Sequence, residues 1–378
     1  MVDNIAYPVQ LIQPDGRRVL RPDYTSLVRD IGTQQLRSLY EDLVVTRRMD
    51  VEATALQRQG EMGLWAPMLG QEAAQVGSAR ALRPDDYAFI TYREHAVAYC
   101  RGVDPAVMAH MWRGCAHSAW DPHEVNVTNP AIVVGSQGLH ATGYAIGAHL
   151  DGAEIATIAY FGDGAISQGD IAEALGFSMS FNAPVVFFCQ NNHWAISEPV
   201  HLQSPAPIAQ RAAGYGMPAV RVDGNDVLAV LAVTRQATQR VREGGGPIFI
   251  EAITYRMGPH TTSDDPTRYR SAAETEAWKA RDPIDRVRRL LDREGQLDET
   301  FLAHIQDASD RVAARLRSGT IDAPDPAPLD LFDNVYSADH PLIDEEREQY
   351  AAYLAGFKDA EEAEAFGRNE EATEEALS

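Results

Sequence analysis

The sequence predicts an α/β fold, a largely parallel central sheet flanked by helices, and three observations carry that expectation. The runs "IATIAYF" at 155–161 and "PVVFFCQ" at 184–190 are almost continuously apolar, as strands buried on both faces are. Between them, Ile171, Ala174, Leu175 and Phe181 recur at helical spacing, so the order is strand, helix, strand, the pattern of a parallel crossover. Two further strand-like runs, "AVRV" at 219–222 and "PIFIEAI" at 247–253, flank a helical stretch at 227–242.

The remaining elements follow in chain order. A loosely patterned arm comes first, then a helix from Thr33 to Gln59 on which Leu36, Leu39, Leu43 and Met49 share a face. Residues 67–82, rich in alanine and small side chains, read as a shorter helix, and "YAFITY" at 87–92 as a strand. "QGLHATGYAIGAH" at 137–149 places small residues where close helix packing is possible. Gly176 weakens the helix that follows the 155–161 strand. The divisions expected are an N-terminal arm and helix at 1–60, an α/β domain at 61–330 and a C-terminal extension at 331–378. The last stretch, Asp359 to Ser378, has eight acidic residues and one arginine and reads as solvated and flexible.

Composition narrows the functional classes. With 45% apolar residues and 378 positions the chain can bury a substantial core. A formal net charge of -22 disfavours nonspecific nucleic-acid binding. The N-terminus lacks the apolar stretch of a signal peptide, and no run reaches membrane-spanning length, so a cytoplasmic location with no membrane partner is expected. Cys100, Cys115 and Cys189 form neither a disulfide framework nor a paired metal motif. His110, His117 and His123 likewise lack a specific metal spacing.

The chemistry is concentrated at two strand ends. Asp163, in a Gly-Asp-Gly turn, follows one strand, and Asn192 follows the next. Parallel strands put both at the carboxyl edge of the sheet, where open α/β folds bind ligands. Aspartate and asparagine both offer oxygen to magnesium or calcium, and a helix beginning after Gly164 offers backbone N–H groups to a phosphate. Glycine on either side of Asp163 leaves room for a phosphorylated group. A Walker-type loop does not fit, since its lysine and hydroxyl pair is absent.

Taken with "GQEAAQVGSA" at 70–79, "YRE" at 92–94, "NNHWAISEPV" at 191–200, "RVDGND" at 221–226 and "YRMGPHTTSDDPTRYR" at 255–270, the Gly162–Asn192 segment resembles the alpha subunit of the decarboxylase component of 2-oxo acid dehydrogenases over roughly residues 10–345. The resemblance implies a thiamin-diphosphate-binding fold and a magnesium ion held by Asp163, the Asn192 side chain and the backbone oxygen of Trp194. It implies that Tyr92 and Arg93 hold the diphosphate beside Gly164 and Ala165, and that Ser136 and Gly138 lie along the aminopyrimidine ring. His260 takes the place of an active-site histidine near the diphosphate and the lipoyl entrance. The implied reaction is thiamin-diphosphate-dependent oxidative decarboxylation of pyruvate or a branched-chain 2-oxo acid, with acyl transfer to a lipoyl-bearing acyltransferase component. In such enzymes the glutamate that activates the aminopyrimidine belongs to a beta subunit, so an alpha-beta heterotetramer is implied.

Several features depart from that pattern or leave it open. Gln190 stands where branched-chain relatives can have a phosphate-binding arginine, Thr261 stands where some eukaryotic relatives carry a regulated serine, and residues 100–130 differ from the usual loop. Arg256, Arg268 and Arg270 surround an acidic "SDD" cluster, and ion pairs among them would lock the His260 loop. "GEMGLWAP" at 60–67 is a candidate lining for the donor pocket. A noncatalytic assembly subunit and an acetoin-type thiamin-dependent enzyme subunit remain alternatives at this point.

Overall fold

A computed structural model of the chain describes residues 4–116 and 120–357. His117 and the acidic tail lie outside the described residues. The chain divides into two compact units, Met1–Ala323 and Pro324–Ser378. In the second, a helix over 341–357 sets Tyr350 against Phe332, and Arg347 pairs with Asp333 at 2.8 Å. The sheet and the helices that flank it belong to the first.

Six strands, β1 (Asn4–Val9), β2 (Tyr87–Phe89), β3 (Thr157–Gly162), β4 (Val185–Asn191), β5 (Ala219–Asp223) and β6 (Ile248–Ile253), form one sheet in the order β1-β5-β6-β4-β3-β2. Every neighbouring pair is parallel. Both faces are covered, as the unbroken apolar runs require. Along β3, Ile158 and Tyr160 pack into one core while Ala159 and Phe161 pack into the other. β4 divides in the same way, Val186 and Phe188 against Val185, Phe187 and Cys189. Each of these fully buried phenylalanines contributes roughly 1.5–3 kcal/mol through the area removed from water.

The helices segregate to match. α1 (Thr33–Arg58), α2 (Glu72–Ala79), α5 (Val227–Arg242), α6 (Pro283–Arg293) and α7 (Glu299–Ile321) cover the first face, and α3 (Ser136–Leu150) and α4 (Gly169–Ser180) the second. α1 buries the predicted Leu36, Leu39, Leu43 and Met49. On α3, a Cβ at Gly138 would stand 2.8 Å from Ile171 and 3.3 Å from Ala174 of α4, so the small residues there do permit close packing.

Several elements differ from the sequence expectation: the helix read over 67–82 is confined to Glu72–Ala79, and the strand read over 87–92 to Tyr87–Phe89. The N-terminal arm contains β1, an edge strand against β5. Its continuation is anchored by Asp226, whose Oδ2 accepts the N–H groups of Leu11 at 2.6 Å and Ile12 at 2.5 Å while Oδ1 caps α5 at the Ala229 N–H. Pro8 within a short run obscures the strand signal, and an edge position is where proline is tolerated. The helix expected directly after Gly164 is instead a 3-10 turn, Asp163–Ser167, and α4 starts only at Gly169 because Gln168 is extended.

α2 approaches α5 so closely that a Cβ at Gly77 would stand 2.8 Å from the Val227 carbonyl oxygen and 2.9 Å from Val230. Gly77→Val is therefore expected to destabilise the chain by roughly 2–4 kcal/mol in urea unfolding. Gly143→Ala on α3, where a Cβ would meet nothing within 4 Å, is expected to leave stability unchanged or raise it by up to about 1 kcal/mol.

Candidate functional site

The site is made by strand register. Gly162 at the end of β3 stands beside Gln190 of β4, and Asn191 pairs with Ile253 of β6, so Asp163 and Asn192 leave neighbouring strands at one edge. They meet there: the Asn192 N–H donates to Asp163 Oδ1 at 3.3 Å. A cavity of about 240 Å³ opens over this edge, lined by Tyr92, Arg93, Asp163, Gly164, Ala165, Asn192, Trp194 and His260. Thus eight of the ten candidate residues stand around one space. The other two, Ser136 and Gly138, flank Gln137, which is the α3 residue in the lining.

Gly164 is required for a reason of packing. A Cβ there would stand 2.7 Å from the Ala195 Cβ of the small Trp194–Ala195/Glu198–Pro199 hairpin, whereas a Cβ at Gly162 would meet nothing within 4 Å. The 3-10 turn and the hairpin therefore close on each other at the cavity wall.

Asp163 is 1% exposed, and its Oδ2 has no hydrogen-bond partner. Burial pushes its carboxyl up to about 6, against the opposing pull of its own and the Asn192 N–H groups and of Arg256 and Arg93. The Asn192 amide is oriented by two contacts, Oδ1 accepting the Trp194 N–H at 3.2 Å and Nδ2 donating to Gln71 Oε1 at 3.1 Å. The Trp194 carbonyl accepts Arg256 Nη1 at 3.0 Å. A carbonyl or amide oxygen with one hydrogen bond keeps a second lone pair. These oxygens, with the unpartnered carboxylate oxygen, form a donor set of the kind that suits a hard divalent cation. Among the described residues no group of three or more histidine, cysteine, aspartate or glutamate side chains forms a metal site, and this set, with a single carboxylate, is of a different kind.

Arg93 spans the cavity rim. Its Nη1 donates to the Pro67 carbonyl at 2.6 Å, and its Nη2 donates to the His260 carbonyl at 2.9 Å and lies 3.1 Å from His260 Nδ1. Arg256 Nη1 lies 3.4 Å from the same ring nitrogen. An arginine can only donate, so Nδ1 is the acceptor and the ring proton sits on Nε2. Burial, then the charges of Arg93 and Arg256, push the His260 imidazole down to about 3. His260 is therefore a neutral ring offering an N–H.

The His260 loop is locked through carbonyls rather than through the ion pairs expected. Arg256, fully buried, donates to the carbonyls of Trp194 and Ile196 and to the Tyr269 hydroxyl. Arg270 donates to the carbonyls of Arg256, Met257 and Gly258. Asp264 accepts the His260 N–H and the Tyr269 hydroxyl. Ile196 is held at φ +55°, a conformation costly for a β-branched residue, and the Arg256 bond to its carbonyl at 2.6 Å opposes relaxation. Gln190 donates to Glu94 at 2.5 Å, and Glu94 also accepts the Thr91 N–H and hydroxyl. A neutral amide rather than a guanidinium therefore stands at that position. The 60–67 stretch is absent from the cavity lining; Trp65 is buried, stacked on His95 at 3.9 Å.

Gln71 and Glu94 carry a sequence signal only as members of their motifs, and their meeting with Asn192 and Gln190 assigns them a place. Gln137 opens the 137–149 stretch, and its donation to the Tyr160 carbonyl at 2.9 Å sets its position.

The unpartnered charge yields a prediction. The Asp163 carboxyl is near 6 folded and 3.8 unfolded, so the folded state binds the proton more tightly and stability falls as pH rises between those values. Asp163→Asn is expected to raise the stability of the ligand-free chain at pH 7.5 by on the order of 3 kcal/mol, with the gain fading toward pH 4. Urea unfolding across that range checks it.

Comparison with known proteins identifies the family. Residues 40–318 match the family model described as "Dehydrogenase E1 component". The chain is similar to the 3-methyl-2-oxobutanoate dehydrogenase subunit alpha of Mycobacterium tuberculosis, 46% identical over 349 residues, covering 92% of this chain and 94% of the relative. It is also similar to the pyruvate dehydrogenase E1 component subunit alpha of Acholeplasma laidlawii, at 36% identity over 86% of this chain and 95% of the relative. The Staphylococcus aureus pyruvate dehydrogenase E1 component subunit alpha is 40% identical over 77% and 78%. The chain belongs to the dehydrogenase E1 component family, as an alpha subunit of the 2-oxo acid dehydrogenase kind.

Proposed function

We propose that the cavity at the β3–β4 edge holds thiamin diphosphate with magnesium, and that the chain, joined to a beta subunit, decarboxylates pyruvate or a branched-chain 2-oxo acid and acylates the lipoyl group of an acyltransferase component. Thiamin diphosphate dependence follows from the family. The observation that carries the rest is the buried, unpartnered Asp163 Oδ2 in an oxygen-rich cavity bordered by Arg93. The 46% identity to a 3-methyl-2-oxobutanoate dehydrogenase subunit favours a branched-chain substrate.

When bound, thiamin diphosphate supplies the electron sink on which a 2-oxo acid can lose carbon dioxide. Asp163, Asn192 and the Trp194 carbonyl would hold the magnesium. Arg93 would face the diphosphate, with Tyr92 beside it. His260, a neutral ring with its proton on Nε2, would donate that N–H without requiring a change of charge.

The cavity also supports the need for a partner. Of the carboxylates in its lining, Asp163 belongs to the metal set and Glu94 already accepts from Thr91 and Gln190, so neither is assigned to the aminopyrimidine. Val134 and Ile196 line the cavity and are exposed, and Ile132 and Val133 continue that apolar surface. A beta subunit seated there would exclude water and complete the site. Free Cys100, Cys115 and Cys189 suit a reducing compartment, and the reading places the chain in the cytoplasm. Among the described residues no helix is long and apolar enough to cross a membrane.

The isolated chain is expected to release essentially no carbon dioxide from pyruvate, 3-methyl-2-oxobutanoate or 4-methyl-2-oxopentanoate. Co-purified with its beta subunit and given magnesium and thiamin diphosphate, it is expected to process at least one of them, first with an artificial acceptor and then with the lipoyl-bearing component. Full activity of the chain alone would overturn the half-site reading, and a cofactor-loaded complex inactive on all three acids would overturn the substrate reading.

Arg93→Ala is expected to weaken thiamin diphosphate binding by roughly 10–100-fold, the loss of a charge-assisted contact. His260→Ala is expected to slow lipoyl acylation more than decarboxylation, and equal losses in single-turnover measurements of both steps would reject that division.

A further inference from the structure

Asp50 lies on α1, is 3% exposed and is not among the cavity-lining residues, yet it is a buried acceptor with no basic side chain bonded to it. Its Oδ1 accepts the Trp65 indole N–H at 2.7 Å, and both oxygens accept the Met68 N–H at 3.1 Å. These two bonds fix both ends of residues 65–68, a short stretch with no regular structure. Cavity-lining Arg93 and the loop that carries His260 are pinned to that stretch. The Pro67 carbonyl receives Arg93 Nη1 at 2.6 Å, and Trp65 exchanges two bonds with Thr262 of the His260 loop, donating its N–H to Thr262 Oγ1 at 3.1 Å and accepting the Thr262 N–H at 2.9 Å. That last contact is a backbone bond. Arg93 Nη2 then closes the ring onto His260.

We propose that Asp50 is a positioning residue: by holding the 65–68 stretch at Trp65 and Met68 it sets Arg93 and the His260 loop at the spacing that receives the cofactor. This rests on the functional reading above. A carboxylate is an acceptor at both oxygens, so it can take an indole N–H and a peptide N–H together, whereas an asparagine at this position would offer one oxygen and turn an N–H group toward the other donor. Burial first, then the Glu72 charge, pushes the Asp50 carboxyl up to about 7. A charge so disfavoured marks a position where an apolar residue would suit the core better.

The matched comparison is Asp226, also buried, with its carboxyl raised to about 6, accepting Leu11, Ile12 and Ala229 N–H groups and absent from the cavity lining. Asp50→Ala, Asp50→Asn and Asp226→Asn would be prepared as full-length chains assembled with the beta subunit. Thiamin diphosphate affinity in excess magnesium would be measured by calorimetry, and amide exchange at Thr262 would be followed without cofactor. The expected result is a Kd about tenfold or more higher for Asp50→Ala, a smaller rise for Asp50→Asn, faster Thr262 exchange in both, and a Kd within about twofold of the parent for Asp226→Asn despite a lowered Tm. Unchanged Kd and unchanged Thr262 protection in both Asp50 variants would overturn the proposal, as would an equal Kd loss in Asp226→Asn. Should the parent complex itself bind no thiamin diphosphate, the functional reading fails, while faster Thr262 exchange in the Asp50 variants would still uphold the brace.

Discussion

The pairing of β3 with β4 is the constraint on which the rest depends. Six consecutive register pairs, from Thr157–Val185 to Gly162–Gln190, fix where each strand stops, and the stop places an aspartate and an asparagine in hydrogen-bond contact. A slip of one residue would turn each strand's side chains to the opposite face, sending Phe161 and Phe187 into the wrong core and separating Asp163 from Asn192. The same burial that specifies the register therefore specifies the site. Apolar packing on two faces supplies the precision, and a polar site inherits it.

Around that edge the chain tolerates several unfavourable states. Asp163 is a buried carboxylate with one oxygen unpartnered, His260 is a ring held neutral between two arginines, and Ile196 sits in the left-handed region. Each is costly alone, and each is enforced by a neighbour with no other arrangement available. Arg256 is common to the latter two, touching the His260 ring and the carbonyls on either side of Ala195. Concentration of such costs in one cavity marks it as a candidate functional site.

Much of this was legible in the sequence because the sheet is buried on both faces. Continuous apolar runs bounded by turn residues gave β3, β4, β5 and β6 to within a residue or two, and helical spacing gave α1 and α5 as closely, whereas α4 starts later than expected, at Gly169. From those elements alone, the convergence of Asp163 and Asn192 on one edge followed. What escaped had non-periodic causes. β1 is an edge strand carrying a proline, recognisable only once Asp226 is seen to anchor the residues after it. The 3-10 turn after β3 depends on the extended backbone of Gln168. The roles of Gln71, Glu94 and Arg256 depend on contacts with residues 60 to 121 positions away, for which hydrophobic periodicity carries no information.

The proposed site turns most directly on a divalent cation being held at Asp163 and Asn192 against the cofactor's diphosphate. Manganese can report on this in place of magnesium. With the alpha-beta complex, manganese and thiamin diphosphate, electron-nuclear double resonance should show phosphorus coupled to the bound manganese, and Asp163→Ala should abolish both the bound-metal signal and the coupling. Manganese bound without phosphorus coupling, or coupling that survives in Asp163→Ala, would contradict the account.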